Sequence, residues 1–323
     1  MRLLILIVAM WLPFGAHAFT IHWPLACTLG EDCFIQNFVD HDTTRAAHDF
    51  VCNANTYDGH DGTDIRLRSL TAMHAGVAVK AVAEGVVVGT RTNVEDISIR
   101  AANAPSSAGK ECGNGVNIQH AEGYRTQYCH MMKGSIRVRT GQQVKAGDVL
   151  GNVGLSGGTE FPHLHLGLWR DRTALDPFTG SAMTDACNAS LASGPGMWST
   201  RIPYQPSALL NDGIVDAAPD KEAMRDAPQS LNVLPADAPA LLYWVDVMNV
   251  RTGDELTLTI TAPDGRSFAQ KTMHIDKPMA MYFSFIGKKN SVGKWPLGAY
   301  QAHFALMRDG AVVATGNRSA VVQ

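Results

Sequence analysis

Five side chains of this sequence are of the kinds that do hydrolytic metal chemistry, and they fall in three groups. His60 and Asp64 stand in His60-Asp61-Gly62-Thr63-Asp64, His130 follows Tyr128-Cys129, and His163 and His165 flank Leu164. A histidine, a carboxylate and a second histidine suit Zn²⁺, which takes nitrogen and oxygen ligands and keeps a fourth position for water when catalytic. Bound Zn²⁺ brings the pKa of that water to about 7 and polarises a peptide carbonyl as a Lewis acid. Imidazoles left over can move a proton and steady a tetrahedral oxyanion. The chain offers four histidines and one aspartate for these tasks.

The elements that carry these residues follow from local pattern. Gly157-Gly158 and Pro162 argue against a helix around His163-Leu164-His165, and the apolar run to Trp169 reads as a strand. Strand side chains alternate, so His163 and His165 share one face and Leu164 takes the other. Asp64, four residues after His60, would suit one helical turn. Gly62 and the following Ile65-Arg66-Leu67 favour a loop entering a strand. With twelve histidines in the chain, one H-x-x-x-D match by itself is as readily a chance event as a functional one. On a strand, Tyr128 and His130 share a face opposite Cys129, and a lone strand histidine is more often a packing residue than a ligand.

Met1 to Ala18 reads as a cleavable signal peptide, with Arg2, a short apolar core and Ala16-His17-Ala18 as the cleavage site. The apolar core is too short to span a bilayer, and no later stretch is a spanning candidate. About 305 exported residues remain, enough for one large or two ordinary domains. The apolar fraction of 46% supports a true core, and a net charge of −3 gives no footprint for nucleic acid or an anionic membrane. The six cysteines, all in the first two thirds, read as disulfides in an oxidising compartment. Cys112–Cys129 joins the ends of neighbouring strand-like runs and is the favoured bridge. Cys27, Cys33, Cys52 and Cys187 allow three pairings. No C-x-x-C spacing supports a cysteine zinc site.

Residues 19–56 read as a segment wrapped on the next domain, with a helix near Thr43 to Val51. Residues 57–187 read as an all-β domain. Its short runs are Val77–Val79, Val86–Val88, Ile97–Arg100, Val116–His120, Tyr124–Met131, Ile136–Val138 and Val149–Val153, parted by Gly, Asn and Asp. Gly76–Gly85 and Gly141–Gly151 form a weak internal repeat. Residues 188–229 read as a linker with a short helix near Pro219 to Arg225. Residues 230–323 read as a small β-sandwich, with strands at 241–247, 255–262, 279–286, 298–307 and 311–315 and turns at Pro263-Asp264-Gly265 and Arg308-Asp309-Gly310.

His60-Asp61-Gly62-Thr63-Asp64, Tyr128-Cys129-His130 and His163-Leu164-His165 together resemble the H-x-G-x-D, Y-x-H and H-L-H signatures of the lysostaphin/LytM-type zinc endopeptidases, in order and spacing, over about residues 57 to 178. The resemblance implies a compact antiparallel β-barrel-like core (the duplicated hybrid motif) and cleavage of peptide bonds in peptidoglycan. It implies His60, Asp64 and His165 as zinc ligands, His163 as the catalytic histidine for the water proton, and His130 as the second catalytic histidine beside the oxyanion. Zn²⁺ is the implied cofactor and the peptidoglycan peptide the implied substrate. The enzyme would be periplasmic or secreted; in a Gram-negative setting it would be a DD-endopeptidase cutting the D-alanine to diaminopimelate cross-link, and glycine-rich bridges or proteins are the alternative substrate of the same chemistry. Glu160-Phe161-Pro162 and Leu166-Gly167-Leu168 depart from the usual flanks, and the insertion Thr92–Gly113 is placed to line the groove.

Two other classes meet the same residues. One is a catalytically silent wall-binding or regulatory protein on this fold, marked by lost ligands. The other is a non-haem iron oxygenase using His60, Asp64 and His165 as a facial triad, which leaves His130 and His163 idle. For the C-terminal sandwich a bare structural role and a wall- or partner-binding role are both open, with binding slightly favoured. His120 and His74 read as solvent-facing, and Tyr57 as a packing residue. His274-Ile275-Asp276 reads as a strand end rather than an iron site. Trp244, Trp295, Tyr300 and Phe304 read as core.

Overall fold

The computed structural model describes residues 19–194, 196–291 and 293–323. The expected signal peptide, Met1 to Ala18, lies outside the described residues. The alternating runs of the first domain form strands β1 (Cys33–Asn37), β2 (Gly62–Leu67), β3 (Ala78–Lys80), β4 (Gly85–Arg91), β5 (Asn114–Gln119), β6 (Tyr124–Met131), β7 (Gln143–Val144), β8 (Val149–Asn152), β9 (His163–Arg170) and β10 (Thr173–Ala174). Helix α1 (Leu70–Ala75) starts where the Ser69 hydroxyl accepts the Ala72 N–H.

Eight of these strands form one antiparallel sheet in the order β1-β2-β9-β6-β5-β4-β7, with β10 on β9. The sheet is open, with β1 and β7 at its edges, so the β-rich core is not a closed barrel. The two glycine-cornered repeats pair with each other, β3 with β8 and β4 with β7. The core lies on one face, where Ile65, Leu67, Leu164, Leu166 and Tyr128 meet Val79 and Leu150 from the small ladder. Burial of this apolar surface is the main stabilising term, at about 25 cal/mol per Å².

Several expected elements differ. Thr43 to Val51 is not helical. Asp42 and Asp49 hold backbone N–H groups two residues on, and Asp40 holds those of Asp42, His48 and Gly59. Such bonds offer the backbone an alternative to a helix. Ile97–Arg100 and Ile136–Val138 stand outside the ladders.

Within the segment 19–56, β1 is a strand of the main sheet, paired with β2. Disulfides Cys27–Cys33, Cys52–Cys187 and Cys112–Cys129 are present, the last as favoured from sequence. Near Cys52–Cys187, His41 Nδ1 donates to Asp185 O at 2.8 Å and Nε2 bonds Asp176 Oδ2 at 3.0 Å. Burial alone would depress His41, but the bonds and charges of Asp176 and Asp185 outweigh it and raise its pKa. A histidine raised on folding contributes stability below its unfolded pKa and loses it as pH rises through the folded value. The melting-temperature gap between wild type and His41→Gln should therefore shrink as pH rises above about 6.5. A gap that widens across a thermal melt series contradicts this.

Residues 188–229, expected as a linker, contain β11 (Ala208–Val215) and α2 (Lys221–Asp226). Asn211-Asp212-Gly213 looks like a turn but is buried within β11. Tyr243 Oη donates to Asp212 Oδ2 at 2.9 Å, Arg318 Nε donates to Oδ1 at 2.8 Å, and Gly213 packs beneath the Trp244 ring, where a Cβ would meet Nε1 at 2.8 Å. Strands β12 (Val233–Leu234), β13 (Ala240–Val250), β14 (Glu255–Thr261), β15 (Ser267–His274), β16 (Met279–Lys289), β17 (Gly298–Arg308) and β18 (Ala311–Val322) complete the second unit. Its sheets are β11-β13-β16 and β12-β18-β17-β14-β15, and Trp295, Tyr300 and Phe304 fill the core between them. Trp244 is buried on the other side of β13. β15 had no sequence signal because it is an edge strand whose residues are mostly exposed. The two units touch: Phe34 packs with Leu210 and Met248, and Asn249 Nδ2 donates to Gln36 O at 2.8 Å.

Candidate metal centre

Register places the first pair of candidate ligands. β2 pairs β9 with Asp64 opposite His165 and Arg66 opposite His163. Residues directly opposite share a face, so Asp64, His163 and His165 all leave the apolar core behind. Pairing of Asn37 with Asp64 adds the end of β1 to that face. His60 enters from the loop before β2, as Gly62 and the following Ile65-Arg66-Leu67 favoured. A backbone bulge would not be needed to bring it in, because one loop turn suffices: its N–H bonds Tyr57 O at 3.0 Å.

Three donor atoms converge, one each from His60, Asp64 and His165, within 4.8 Å of one another. His60 Nε2 lies 3.2 Å from Asp64 Oδ1 and 3.1 Å from His165 Nδ1, and His165 Nδ1 lies 2.9 Å from Asp64 Oδ1. A tetrahedral ion with bonds of about 2.0–2.1 Å needs donors about 3.3 Å apart, so the set fits Zn²⁺ with little movement. Neighbouring groups fix the tautomers. His60 Nδ1 donates to Phe38 O at 2.6 Å, leaving Nε2 bare. His165 Nε2 faces Asp61 Oδ1 at 3.4 Å, which turns Nδ1 toward the cluster. Asn37 Nδ2 donates to Asp64 Oδ2 at 2.9 Å and leaves Oδ1 for the centre.

The electrostatics fit a cation. Burial opposes the Asp64 charge, but His60, His163 and His165 overcome it and hold its pKa well below the usual carboxylate range. Burial likewise opposes a charged His165, yet Asp61 and Asp64 push it up to about 9. A metal ion would take over the role of that proton.

Gly62 is the position in H-x-G-x-D that only glycine fits. A Cβ there would stand 2.5 Å from His165 Nε2 and 2.9 Å from Leu166 O. Gly62→Ala should thus move the His165 ring and weaken zinc binding about tenfold or more. Competition with a chromogenic chelator checks this, and unchanged affinity contradicts it.

His130 reaches the cluster by a route that alternation does not give. Tyr128 faces the core and donates no group to the site; its Oη accepts the Val82 N–H at 2.9 Å. His130 should share that face, but its φ of 61° is left-handed and β6 has an extra residue against β5 between Tyr128 and Met131. The bulge turns the ring to 4.5 Å from the His163 ring. Non-glycine residues in this conformation cost about 1–3 kcal/mol and gather at functional sites. The His130 N–H bonds Cys112 O at 2.8 Å, so the Cys112–Cys129 bridge braces the distortion.

His163 Nδ1 donates to Phe161 O at 2.9 Å and lies 3.1 Å from Thr159 Oγ1, and its Nε2 lies 3.3 Å from Asp64 Oδ1. His130 Nδ1 donates to Ser156 O at 2.8 Å. Burial first, then His163 and His165, hold the His130 pKa well below the histidine range. Both imidazoles are thereby anchored at Nδ1 and carry a bare Nε2.

Other expectations resolve plainly. Tyr57 is 53% exposed with its ring 4.4 Å from that of His60, so it rims the site instead of packing in the core. His120 is buried, bonded to Glu84 O and Thr126 Oγ1, and is not solvent-facing. His74 is exposed, at the end of α1. His274 is exposed and lies 3.8 Å from Glu255. Sequence reasoning missed Asn37, Asp61, Ser156 and Thr159 as supports. Only Asp61 carried a signal, by lying inside the motif.

Residues 58–177 match peptidase family M23. The chain is 38% identical over 106 residues to the peptidoglycan DD-endopeptidase ShyA of Vibrio cholerae, covering 33% of this chain and 19% of that protein. It is 28% identical over 118 residues to an uncharacterized metalloprotease of Buchnera aphidicola, covering 36% of this chain and 25% of that protein. The chain thus spans a quarter or less of the length of these curated relatives. Among solved structures, the catalytic domain of lysostaphin from Staphylococcus simulans is similar at 25% identity and a TM-score of 0.26, covering 39% of this chain and 78% of that chain.

Proposed function

Taking residues 58–177 as a domain of peptidase family M23, we propose that this chain is a zinc endopeptidase that hydrolyses stem-peptide cross-links of peptidoglycan outside the cytoplasm. The observation that carries the reading is the convergence of His60, Asp64 and His165 beside two further imidazoles anchored through Nδ1. Those three residues would hold the ion. Zinc supplies a Lewis acid for the scissile carbonyl and lowers the pKa of a water to about 7.

The remaining work belongs to the chain. His163 takes a proton at Nε2, where Asp64 Oδ1, 3.3 Å away, stabilises the cation that forms. The Phe161 carbonyl keeps the ring in the accepting tautomer throughout. His163 then delivers the proton to the leaving amine. His130, whose one N–H is given to Ser156 O, steadies negative charge on a substrate oxygen beside it only after taking up a solvent proton at Nε2, which the growing charge favours. The disulfides and the export-type N-terminus support action in an oxidising compartment. Among the described residues no helix is long and apolar enough to cross a membrane.

The test is mass spectrometry of muropeptides released from purified sacculi by the zinc-loaded chain. Cross-linked dimers should disappear and monomers ending in D-alanine should appear, with chelation stopping the reaction and zinc restoring it. Intact dimers, or an iron-dependent oxygen uptake in place of hydrolysis, overturn the reading.

A further inference from the structure

A cleft of about 1110 Å³ runs between the two units, walled by β2, the Asp96–Ala101 insertion, Phe161, α2 and the start of β16. Arg66 lines it and is 4% exposed. A buried charge is costly unless an opposite charge meets it, and a guanidinium does not shed its proton. Arg66 nonetheless has no carboxylate paired to it directly: Asp246, held by Arg225, acts on it only at longer range, and Nε donates to Leu67 O at 3.4 Å. Nη1 donates to Gln36 Oε1 and touches Met281 Sδ at 2.9 Å, and the guanidinium lies 4.4 Å from the centre of the Phe161 ring. Among the described residues no carboxylate lies within ion-pairing distance of it. The carboxylates nearby are already engaged. Arg225 holds Asp246 with Nε and Nη2, Arg100 pairs with Glu160, Lys221 with Glu222, and Asp96 accepts the N–H groups of Lys133 and Leu155. Asp226 stands exposed at the rim.

The position of this charge is specific. Arg66 is the cross-strand neighbour of His163 on the site face. The Phe161 ring lies 4.7 Å from the His163 ring and 4.4 Å from Arg66 Cζ, so guanidinium and imidazole are at most about 9 Å apart, two to three residues of extended chain.

Resting on the peptidase reading above, we infer that Arg66 is the anchor for a free carboxylate on the peptide substrate, carried within two or three residues of the scissile bond. The directly paired carboxylate that the cleft does not provide is then supplied by the substrate, and the planar fork of Arg66 suits a carboxylate. A peptide whose carboxylate is amidated would leave the guanidinium buried and unpaired. Arg66 is a specificity residue in this account; it moves no proton.

The experiment compares two cross-linked muropeptide dimers, one with the diaminopimelate carboxylate beside the scissile amide free and one with it amidated. The zinc-loaded chain should cleave the free acid with kcat/KM about tenfold or more above the amide. Arg66→Met should erase that preference, and Arg66→Lys should keep only part of it. A preference that survives in Arg66→Met, or no preference in the wild type, overturns the anchor while leaving hydrolysis standing. If neither dimer is cleaved, the peptidase reading fails, and calorimetric titration of the same two dimers decides the anchor: tighter binding of the acid that Arg66→Met removes supports it, and equal binding overturns it. Should Arg66→Met not fold, Arg66→Lys and Phe161→Leu, which removes the ring beneath the guanidinium, give the same comparison.

Discussion

Asp64→Ala is expected to strip zinc and hydrolysis from the protein together. Asp64 Oδ1 is the hub of the site, at 2.9 Å from His165 Nδ1, 3.2 Å from His60 Nε2 and 3.3 Å from His163 Nε2. Losing a group that merely supports a ligand costs about 10–100-fold in metal affinity. Losing the one anionic member of the three-donor set should cost more, because the imidazoles of His60, His163 and His165 then crowd a buried centre whose nearest carboxylate, Asp61, faces His165 Nε2 from outside the cluster. Metal analysis of the purified variant should find far less than one zinc per chain, and digestion of sacculi should fall to background. Asp64→Asn, which keeps the size, separates lost charge from lost packing. Stoichiometric zinc with full turnover in Asp64→Ala would remove the residue from the ligand set.

His163→Ala is expected to give the opposite split, with zinc retained and turnover lost. The ring stands outside the three-donor cluster, with Nδ1 tied to Phe161 O and only Nε2 turned inward. Its removal leaves His60, Asp64 and His165 facing one another. A positioned general base is worth about 10²–10⁴-fold, so turnover should fall by that range with little change in zinc content or melting temperature. A variant hydrolysing at the wild-type rate would take the proton-transfer role from His163, and one that lost its zinc would make His163 a ligand.

Much of this site was legible because β-structure has a period of two. Once His163-Leu164-His165 was read as a strand, the shared face of its histidines followed, and the register Asp64 to His165 met that face. The same rule failed at His130. Alternation put it with Tyr128, whereas a left-handed φ and one extra residue in β6 turn it to the metal side. A bulge is set by pairing with a neighbouring strand, and β5 and the Cys112–Cys129 bridge are what impose it. Asn37 and the Phe38 carbonyl were invisible for a related reason: both belong to the segment read as a wrap. They reach the site only because β1 pairs with β2.

The second unit divides in the same way. Turns at Asp264-Gly265 and Asp309-Gly310, and strands β14, β17 and β18, follow from local chemistry, whereas the exposed edge strand β15 does not. Strand β11 did not, because Asn211, Asp212 and Gly213 imitate a turn until Tyr243, Trp244 and Arg318 surround them.

By itself the sequence determined residue types and faces: two imidazoles on one strand, a histidine and an aspartate at a loop's end, cysteines that bridge, and a metal-dependent chemistry to match. Tertiary structure alone decided which ring nitrogen each histidine presents, how His130 turns inward, and that the cleft beside them keeps a guanidinium without a directly paired carboxylate. Side-chain type and local periodicity are written in neighbouring residues. Tautomers, bulges and unmatched buried charge are set by groups far apart in the chain, and they exist only once the fold brings those groups within a few ångströms.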